Sequence, residues 1–496
     1  MNINDISRRS LLASFAGALA FGAKEEWIPL FDGKSLNGWK ASENSGSWRV
    51  DAGTLLFSGG RSHLFYNGPV HDARFKNFEL DAECYAEPGT NSGIFFHTEY
   101  QEKGFPNKGF EIQVNNTHRG EGNYRERKKT GSLYGVRNTY KSLVRDQEWF
   151  RMNILVRGKN VQVRLNDALV VDFTESNPPM LADNGRDRLL SSGAFALQGH
   201  DPGSKVRFRN IRVRPLADNT PTPPDAKPAA TDALAHDLLL LSAHNYPVVD
   251  YHGHLKLGLT IDQLLERSRA TGIFYGVAVN CGKGFPVQDE ATARDFAKSL
   301  EGKPVFIAMQ AEGREWVDMF SRAAVGVFDY VFTDSMTWTD NHGRRMRTWI
   351  PAEVGTIADP QEFMDTLVAR AVGILEREPI DIYVNPTFLP DQLAPDYDKL
   401  WTEERMRKVI AAAKKGDVAI ELNDRYKLPG EKWVRMAKEE GLKFTFGTNN
   451  SGPQDLRRCD YGVEMVKKCG LKADDFFTPK PVGERAVDRK GSILKS

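Results

Sequence analysis

The order of apolar and polar positions changes character once along the chain. Up to about residue 216, short runs alternate apolar with polar side chains at a period of two: FELDAECYA, GIFFHTEY, GFEIQVNN, WFRMNILVRG, NVQVRLNDALVVDF, GAFALQGH and KVRFRNIRVRPL, with Gly, Asn and Asp between them. Such alternation predicts antiparallel strands, and many short strands with almost no helical pattern predict a β-sandwich or jelly roll. Past residue 233, apolar strands (VVDYH, FYGVAVN, VFIAMQ, YVFTD, DIYVN, VAIEL, FTFGT) alternate with amphipathic stretches such as IDQLLERSRATG and TEERMRKVIAAAKKG. Strand–helix alternation predicts parallel strands with helices outside, and seven such units suggest a closed α/β barrel better than an open sheet. Between the two patterns, ADNTPTPPDAKPAATDA offers no periodic apolar face and reads as an extended linker. The expected domains are 24–216 (sandwich), 217–233 (linker), 234–480 (barrel) and 481–496 (C-terminal tail).

The pleat selects candidate chemistry in the sandwich. Residues two apart on a strand share a face. Phe95, His97 and Glu99 therefore belong to one face, and Glu111, Gln113 and Asn115 to one face of another strand, each backed by apolar neighbours. A concave face lined in this way suits a polar sugar, with Tyr134 and tryptophans available to stack on its C–H surfaces.

Length and charge narrow the classes. A chain of 496 residues is long enough for two or three domains. Its 67 basic and 66 acidic residues leave a net charge of +1, which argues against a nucleic-acid partner. The basic run Arg125-Glu126-Arg127-Lys128-Lys129 reads as a solvated loop. Cys84, Cys281, Cys459 and Cys469 show no Cys-x-x-Cys spacing; Cys459 and Cys469 are either a pair or two free thiols. No glycine-rich phosphate loop is seen, which lowers the dinucleotide-binding option. Ser7-Arg8-Arg9-Ser10-Leu11-Leu12 and the Ala-rich stretch to Ala23 resemble a twin-arginine (Tat) signal, and the stretch is too short for a stable membrane span. The expectation is cleavage after Ala20 or Ala23 and export to the periplasm or the extracellular space.

Four separated motifs carry a family resemblance. They are the segment Trp27–Trp39, Asn91-Ser92-Gly93-Ile94-Phe95-Phe96-His97, Gly109-Phe110-Glu111-Ile112-Gln113-Val114, and Thr130-Gly131-Ser132-Leu133-Tyr134-Gly135. In order and spacing, over residues 26–216, they resemble the 3-keto-disaccharide hydrolase family, also described as 3-keto-glucoside 1,2-lyase and 3-keto-2-hydroxy-glucal hydratase. The resemblance implies a concanavalin-like jelly roll acting on a 3-keto-glycoside, either a small molecule or an oligosaccharide. A C3 ketone acidifies the C2 proton, a base removes it, the C1 substituent is eliminated, and water adds to the glucal. Glu111 is the first candidate for the base and His97 the second. Gln113 and Tyr134 are the orienting groups, and Asn91, Glu99 and Asn115 the substrate contacts. The chain departs from the family at Asn115, where Asp is frequent, and at His97, where Arg is common. The competing reading is a glycan-binding sandwich attached to a metal-dependent hydrolase barrel; a third makes both domains binding modules.

In the barrel, Asp250-Tyr251-His252-Gly253-His254 ends the first strand and aims two imidazoles at the mouth, where parallel α/β barrels place their sites. The pattern resembles the opening of the polymerase and histidinol phosphatase (PHP) family, whose barrel also has seven strands and whose His pair binds a water-activating metal. Other strand ends offer Asn280, Gln310, Glu312, Asp334 with His342 nearby, Asn385, Glu421, Asn423 and Asn449. Where the PHP pattern calls for imidazole or carboxylate, the chain has Asn280-Cys281-Gly282, Asn385 and Asn449-Asn450-Ser451, and amides are weak ligands. The expectation is one divalent transition metal (zinc, manganese or iron) on His252, His254, Glu312 and Asp334 or His342. The alternatives are a metal-free site for a sugar or another ligand, and a purely structural barrel.

Overall fold

The computed structural model describes residues 26–122, 124–182, 188–339 and 343–496. The twin-arginine segment and His342 lie outside the described residues.

The alternating runs form two antiparallel sheets. One holds Ile28–Pro29, Trp48–Asp51, Thr54–Ser58, Asn77–Ala86, Phe150–Arg157, Asn160–Leu165, Ala168–Thr174 and Lys205–Leu216; the other is ordered Trp39–Ala41, Ser62–Tyr66, Ala194–Gly199, Ser92–Thr98, Phe110–Val114. Their apolar faces close on each other around Phe57, Phe78, Phe96, Phe110, Ile112, Ile154 and Phe208, all essentially solvent-free. The first sheet turns outward a ladder of ion pairs: Asp81 meets Arg151 and Arg212, Glu83 meets Arg209, and Glu79 meets Arg214. That face is committed to solvated charge. The open face of the smaller sheet is left for ligands.

The linker runs along the sandwich, pinned where Asn77 Nδ2 donates to the Ala217 and Asp218 carbonyls at 3.0 and 3.1 Å, and where Lys159 N donates to Thr222 Oγ1 at 2.9 Å. Asp232 then caps the helix Ala233–Ala243 by accepting from Ala235 N. That helix serves both domains. Leu238 and Leu241 pack in the barrel core, while Leu239 packs in the sandwich core.

Seven parallel strands close the barrel: Val249–His254, Phe274–Cys281, Phe306–Ala311, Tyr330–Thr333, Ile382–Tyr383, Ala419–Asn423 and Phe444–Gly447. Its interior is filled by Val249, Tyr251, Phe306, Tyr330, Phe332 and Ile382. A hairpin, Thr337–Thr339 with Arg345–Arg347, interrupts the alternation after the fourth strand. The C-terminal residues do not project as a tail: Arg485 Nη1 donates to the Gly326 and Phe328 carbonyls at 2.9 and 2.8 Å, and Lys495 N to the Val317 carbonyl at 2.7 Å. All four cysteines are buried free thiols. Among the described residues, no helix is long and apolar enough to cross a membrane.

Candidate active site

The smaller sheet builds a cleft of about 280 Å³ lined by Asn91, Phe105, Glu111, Gln113, Tyr124, Glu126, Tyr134, Gln198 and His200. Pleating and register explain the first row. Phe95 pairs with Glu111 and with Ala196, Gly93 pairs with Gln113 and with Gln198, and Gln198 pairs with His63. Glu111, Gln113 and Gln198 thus rise from one face of neighbouring strands. Glu111 is only 4% exposed, and Gln198 Nε2 donates to its Oε1 at 3.0 Å. The amides of Gln113 and Asn91 meet at 2.9 Å; with the Gln113 amide rotated by 180°, its nitrogen donates to Glu111 Oε1 at 3.2 Å. Gly93 makes room for this carboxylate: a Cβ there would lie 2.9 Å from Glu111 Oε1 and 3.0 Å from its Cγ.

The far wall comes from the basic run, which is not a solvated loop. It alternates: Glu126 and Lys128 turn inward and are almost fully buried, while Arg125 is exposed and Arg127 turns to the barrel domain, where it donates to the Asn245 carbonyl and Asp474. Glu126 accepts from the Lys128 backbone N–H at 2.8 Å, from Tyr134 Oη at 3.0 Å, and from Tyr124 Oη. Burial, with the Glu126 charge adding to it, holds both phenols above the usual tyrosine range, so both remain hydrogen-bond donors. Lys128 Nζ sits 4.4 Å from the centre of the Tyr134 ring and donates to Asn245 Oδ1, from the barrel side, at 2.9 Å. Burial pulls this ammonium down to about 8, with Glu126 resisting the shift. His200 closes the cleft, its Nδ1 2.7 Å from Asp201 Oδ2 and its ring stacked on Tyr124.

Glu111, Gln113, Tyr134 and Asn91 therefore meet in the cleft, whereas His97, Glu99 and Asn115 do not line it. The pleat argument fails at His97 because the register shifts there: Ala194 pairs with Thr98 but Ala196 with Phe95, and His97 has φ 56°. This bulge turns the imidazole to the edge of the core beside Phe78 and Phe96. Its Nδ1 accepts from Ser191 N at 3.1 Å, so Nε2 carries the proton and donates to the Lys76 carbonyl at 2.9 Å. Burial pushes its pKa down to about 4. The ring is neutral and fully bonded, which suits a brace and not a base. Glu99 is exposed and pairs with Lys108. Asn115 lies past the end of its strand and donates to the Lys128 carbonyl at 2.9 Å. Phe105, Tyr124, Glu126, Gln198 and His200 are the cleft residues that sequence reasoning missed. Gln198 was reachable from the alternation of GAFALQGH, and Glu126 and Lys128 from that of the charged run.

At the barrel mouth, a shift in register within the first strand, between Asp250 and Gly253, switches the inward positions from Val249 and Tyr251 to His252 and His254. His252 Nδ1 lies 2.6 Å from Glu421 Oε1, and His254 Nδ1 lies 3.1 Å from the Ala278 carbonyl. Glu312 and Asp334 are buried and raised above the carboxylate range, chiefly by burial. Each is taken by uncharged donors: Glu312 by Asn280 Nδ2 at 2.7 Å and Thr337 Oγ1 at 3.0 Å, Asp334 by Asn385 Nδ2 at 3.0 Å and Met336 N at 2.8 Å. Among the described residues, no three His, Cys, Asp or Glu side chains are grouped to hold a metal ion. The donor set expected for zinc, manganese or iron does not fit that role, and no chemistry is routed through a metal here.

With the cleft in view, the class of the sandwich follows from comparison: residues 26–214 match the model of the 3-keto-alpha-glucoside-1,2-lyase-like domain. In particular, a curated 3-keto-disaccharide hydrolase from Bacteroides thetaiotaomicron is 35% identical over 77 residues, 14% of this chain and 27% of that relative, so the chain spans about a quarter of its length. Two crystal structures from Parabacteroides distasonis, provisionally described as glycosyl hydrolases, align at 22% and 26% identity with TM-scores of 0.34 and 0.32; each alignment covers 38% of this chain, and 94% and 100% of those chains.

Proposed function

We propose that the protein cleaves 3-keto-glycosides in the sandwich cleft. The observation that carries this reading is the position of Glu111, a carboxylate on the open face of the sheet, walled by amides and phenols in a cleft of monosaccharide size. Glu111 takes the C2 proton that the C3 ketone has acidified, and the electron pair moves onto the C3 oxygen. Tyr134 and Tyr124, phenols that stay protonated, are placed to donate to that oxygen once a substrate displaces their bond to Glu126. The enolate then collapses, breaks the C1–O bond and releases the aglycone, which takes up a proton. Water adds across the resulting 2-hydroxy-glucal, and the net change is hydrolysis. Asn91, Gln113 and Gln198 hold sugar hydroxyls, and the His200–Asp201 pair supplies a proton carrier on the cleft wall. Export by the twin-arginine route to the periplasm or the extracellular space is part of the same proposal.

The test is direct. The full chain is incubated with a 3-keto-glucoside, and aglycone and keto-sugar are quantified by mass spectrometry. Release of both supports the assignment. Saturable binding of the glycoside without release leaves a sugar-binding module in its place.

A further inference from the structure

The reaction proposed for the sandwich makes no use of the barrel mouth, and the sandwich does not cover it. The sandwich packs against the opposite end of the barrel: Val248 N, just before the first strand, donates to Tyr140 Oη at 3.1 Å, and Lys141 pairs with Asp329, just before the fourth strand, at 2.7 Å. The carboxyl ends of the strands, where parallel barrels place their sites, remain separate from this interface.

The hydrogen-bond accounting at that mouth does not close. Glu421 accepts from Asn385 N at 2.8 Å and Asn423 Nδ2 at 2.9 Å, besides facing His252 Nδ1. A carboxyl group surrounded by donors is the ionised acceptor, so His252 carries its proton on Nδ1. The Ala278 carbonyl can only accept, so His254 also carries its proton on Nδ1. Both imidazoles therefore present a bare Nε2 lone pair. Both Nε2 atoms are buried without a hydrogen bond of acceptable geometry, on rings whose centres are 5.1 Å apart, in residues no more than 1% exposed; the Gln310 side chain lies beside His254, its own Oε1 equally unbonded. His252 points across the barrel, since Glu421 lies on a strand two places away around the wall. Buried polar atoms are almost always bonded, and such exceptions mark sites.

The missing group must be a donor. A metal ion does not fit, because Glu312 and Asp334 are turned onto amide, hydroxyl and backbone donors. An anion does not fit beside the carboxylate of Glu421, nor against two imidazoles that present bare lone pairs. What remains is a neutral molecule with several O–H groups, one of which can also donate to the buried, unbonded Gln310 Oε1. We propose that the barrel mouth is a second, metal-independent ligand site, where His252 Nε2 and His254 Nε2 accept hydrogen bonds from the hydroxyls of a small neutral polyol or monosaccharide.

The test uses the full chain with ¹⁵N-labelled histidine side chains, purified without chelator and titrated separately with sorbitol, D-glucose and Zn²⁺. Resonances are assigned with His252→Gln and His254→Gln. The expected result is a saturable shift of both Nε2 signals with sorbitol or glucose, and an affinity about tenfold weaker in either variant. No saturable shift at high millimolar polyol and sugar overturns the proposal. So does stoichiometric metal in the purified protein, or zinc saturating both nitrogens. Should the variants fail to fold, crystals of the wild-type chain soaked in the same two compounds decide the matter. Ligand density within hydrogen-bond distance of both Nε2 atoms upholds the site; ordered water alone overturns it.

Discussion

Replacing Lys128 with methionine should abolish a pH dependence of stability that the buried ammonium creates. Its side chain is essentially unexposed, wrapped by Glu126, the Tyr134 ring and Asn245, with Glu111, Arg188 and Arg127 also acting on it. The folded protein holds this group at about 8, against an ordinary 10.5. Below pH 8 both folded and unfolded chains keep the proton, and the native state bears the whole desolvation cost, about 3 kcal/mol at 1.36 kcal/mol per unit. As the pH climbs from 8 towards 10.5, the native lysine releases its proton while the unfolded chain retains it, so stability rises with pH. Lys129, also lowered to about 8, contributes with the same sign. Its effect is common to both proteins and cancels in their difference. Urea unfolding followed by far-UV circular dichroism over pH 7 to 10.5, on wild type and Lys128→Met, should show the wild type gaining up to about 3 kcal/mol on the variant across that window. A difference that stays flat, or that falls, would refute the placement of a desolvated cation under the cleft wall.

Three further substitutions separate chemistry from scaffold. Gly93→Ala puts a methyl group 2.9 Å from Glu111 Oε1 and 3.1 Å from the Ile112 carbonyl; it should cut turnover about tenfold or more and cost about 1–3 kcal/mol, measured by kcat on a 3-keto-glucoside beside the melting temperature. His97→Ala removes both ring hydrogen bonds of a buried brace; about 2 kcal/mol or more of stability should go, with kcat per folded molecule unchanged, and a proportionate loss of kcat would return His97 to the chemistry. Tyr140→Phe strips partners from Val248 N and the Tyr246 carbonyl at the domain interface; calorimetry should register a loss of about 1–3 kcal/mol, with cleavage activity of the folded protein retained.

Much of this architecture is legible in the chain because its two periodicities are clean. All seven apolar runs after the linker appear as barrel strands, although DIYVN contributes only Ile382–Tyr383. Asn385, the last residue of that run, is instead drawn into the mouth by Glu421 and Asp334, at the cost of φ 48°. Periodicity misleads where the register slips. The bulge at His97 moves its side chain to the other face and leaves no mark on the local pattern of apolar residues. Composition misleads at residues 125–129, whose run of charges predicts a solvated loop. Lys128 and Glu126 are buried because two phenols, a backbone N–H and an asparagine from the other domain meet them; the asparagine is remote in sequence, and the nearby phenols turn inward only once the loop has folded over the sheet. The carboxylates at the barrel mouth were visible as residue types. That amides occupy Glu312 and Asp334 follows only from side-chain geometry.

The central claim is that Glu111 removes the C2 proton of a 3-keto-glycoside. Glu111→Gln keeps the shape and most contacts of the side chain but cannot accept that proton. Incubating wild type and variant with a 3-keto-glucoside in D₂O, and following C2–H by NMR together with aglycone release, tests the step itself. We expect loss of C2–H and release of aglycone by the wild type, both slowed about 10²–10⁴-fold in Glu111→Gln. A folded variant that breaks the C2–H bond at the wild-type rate would contradict the account.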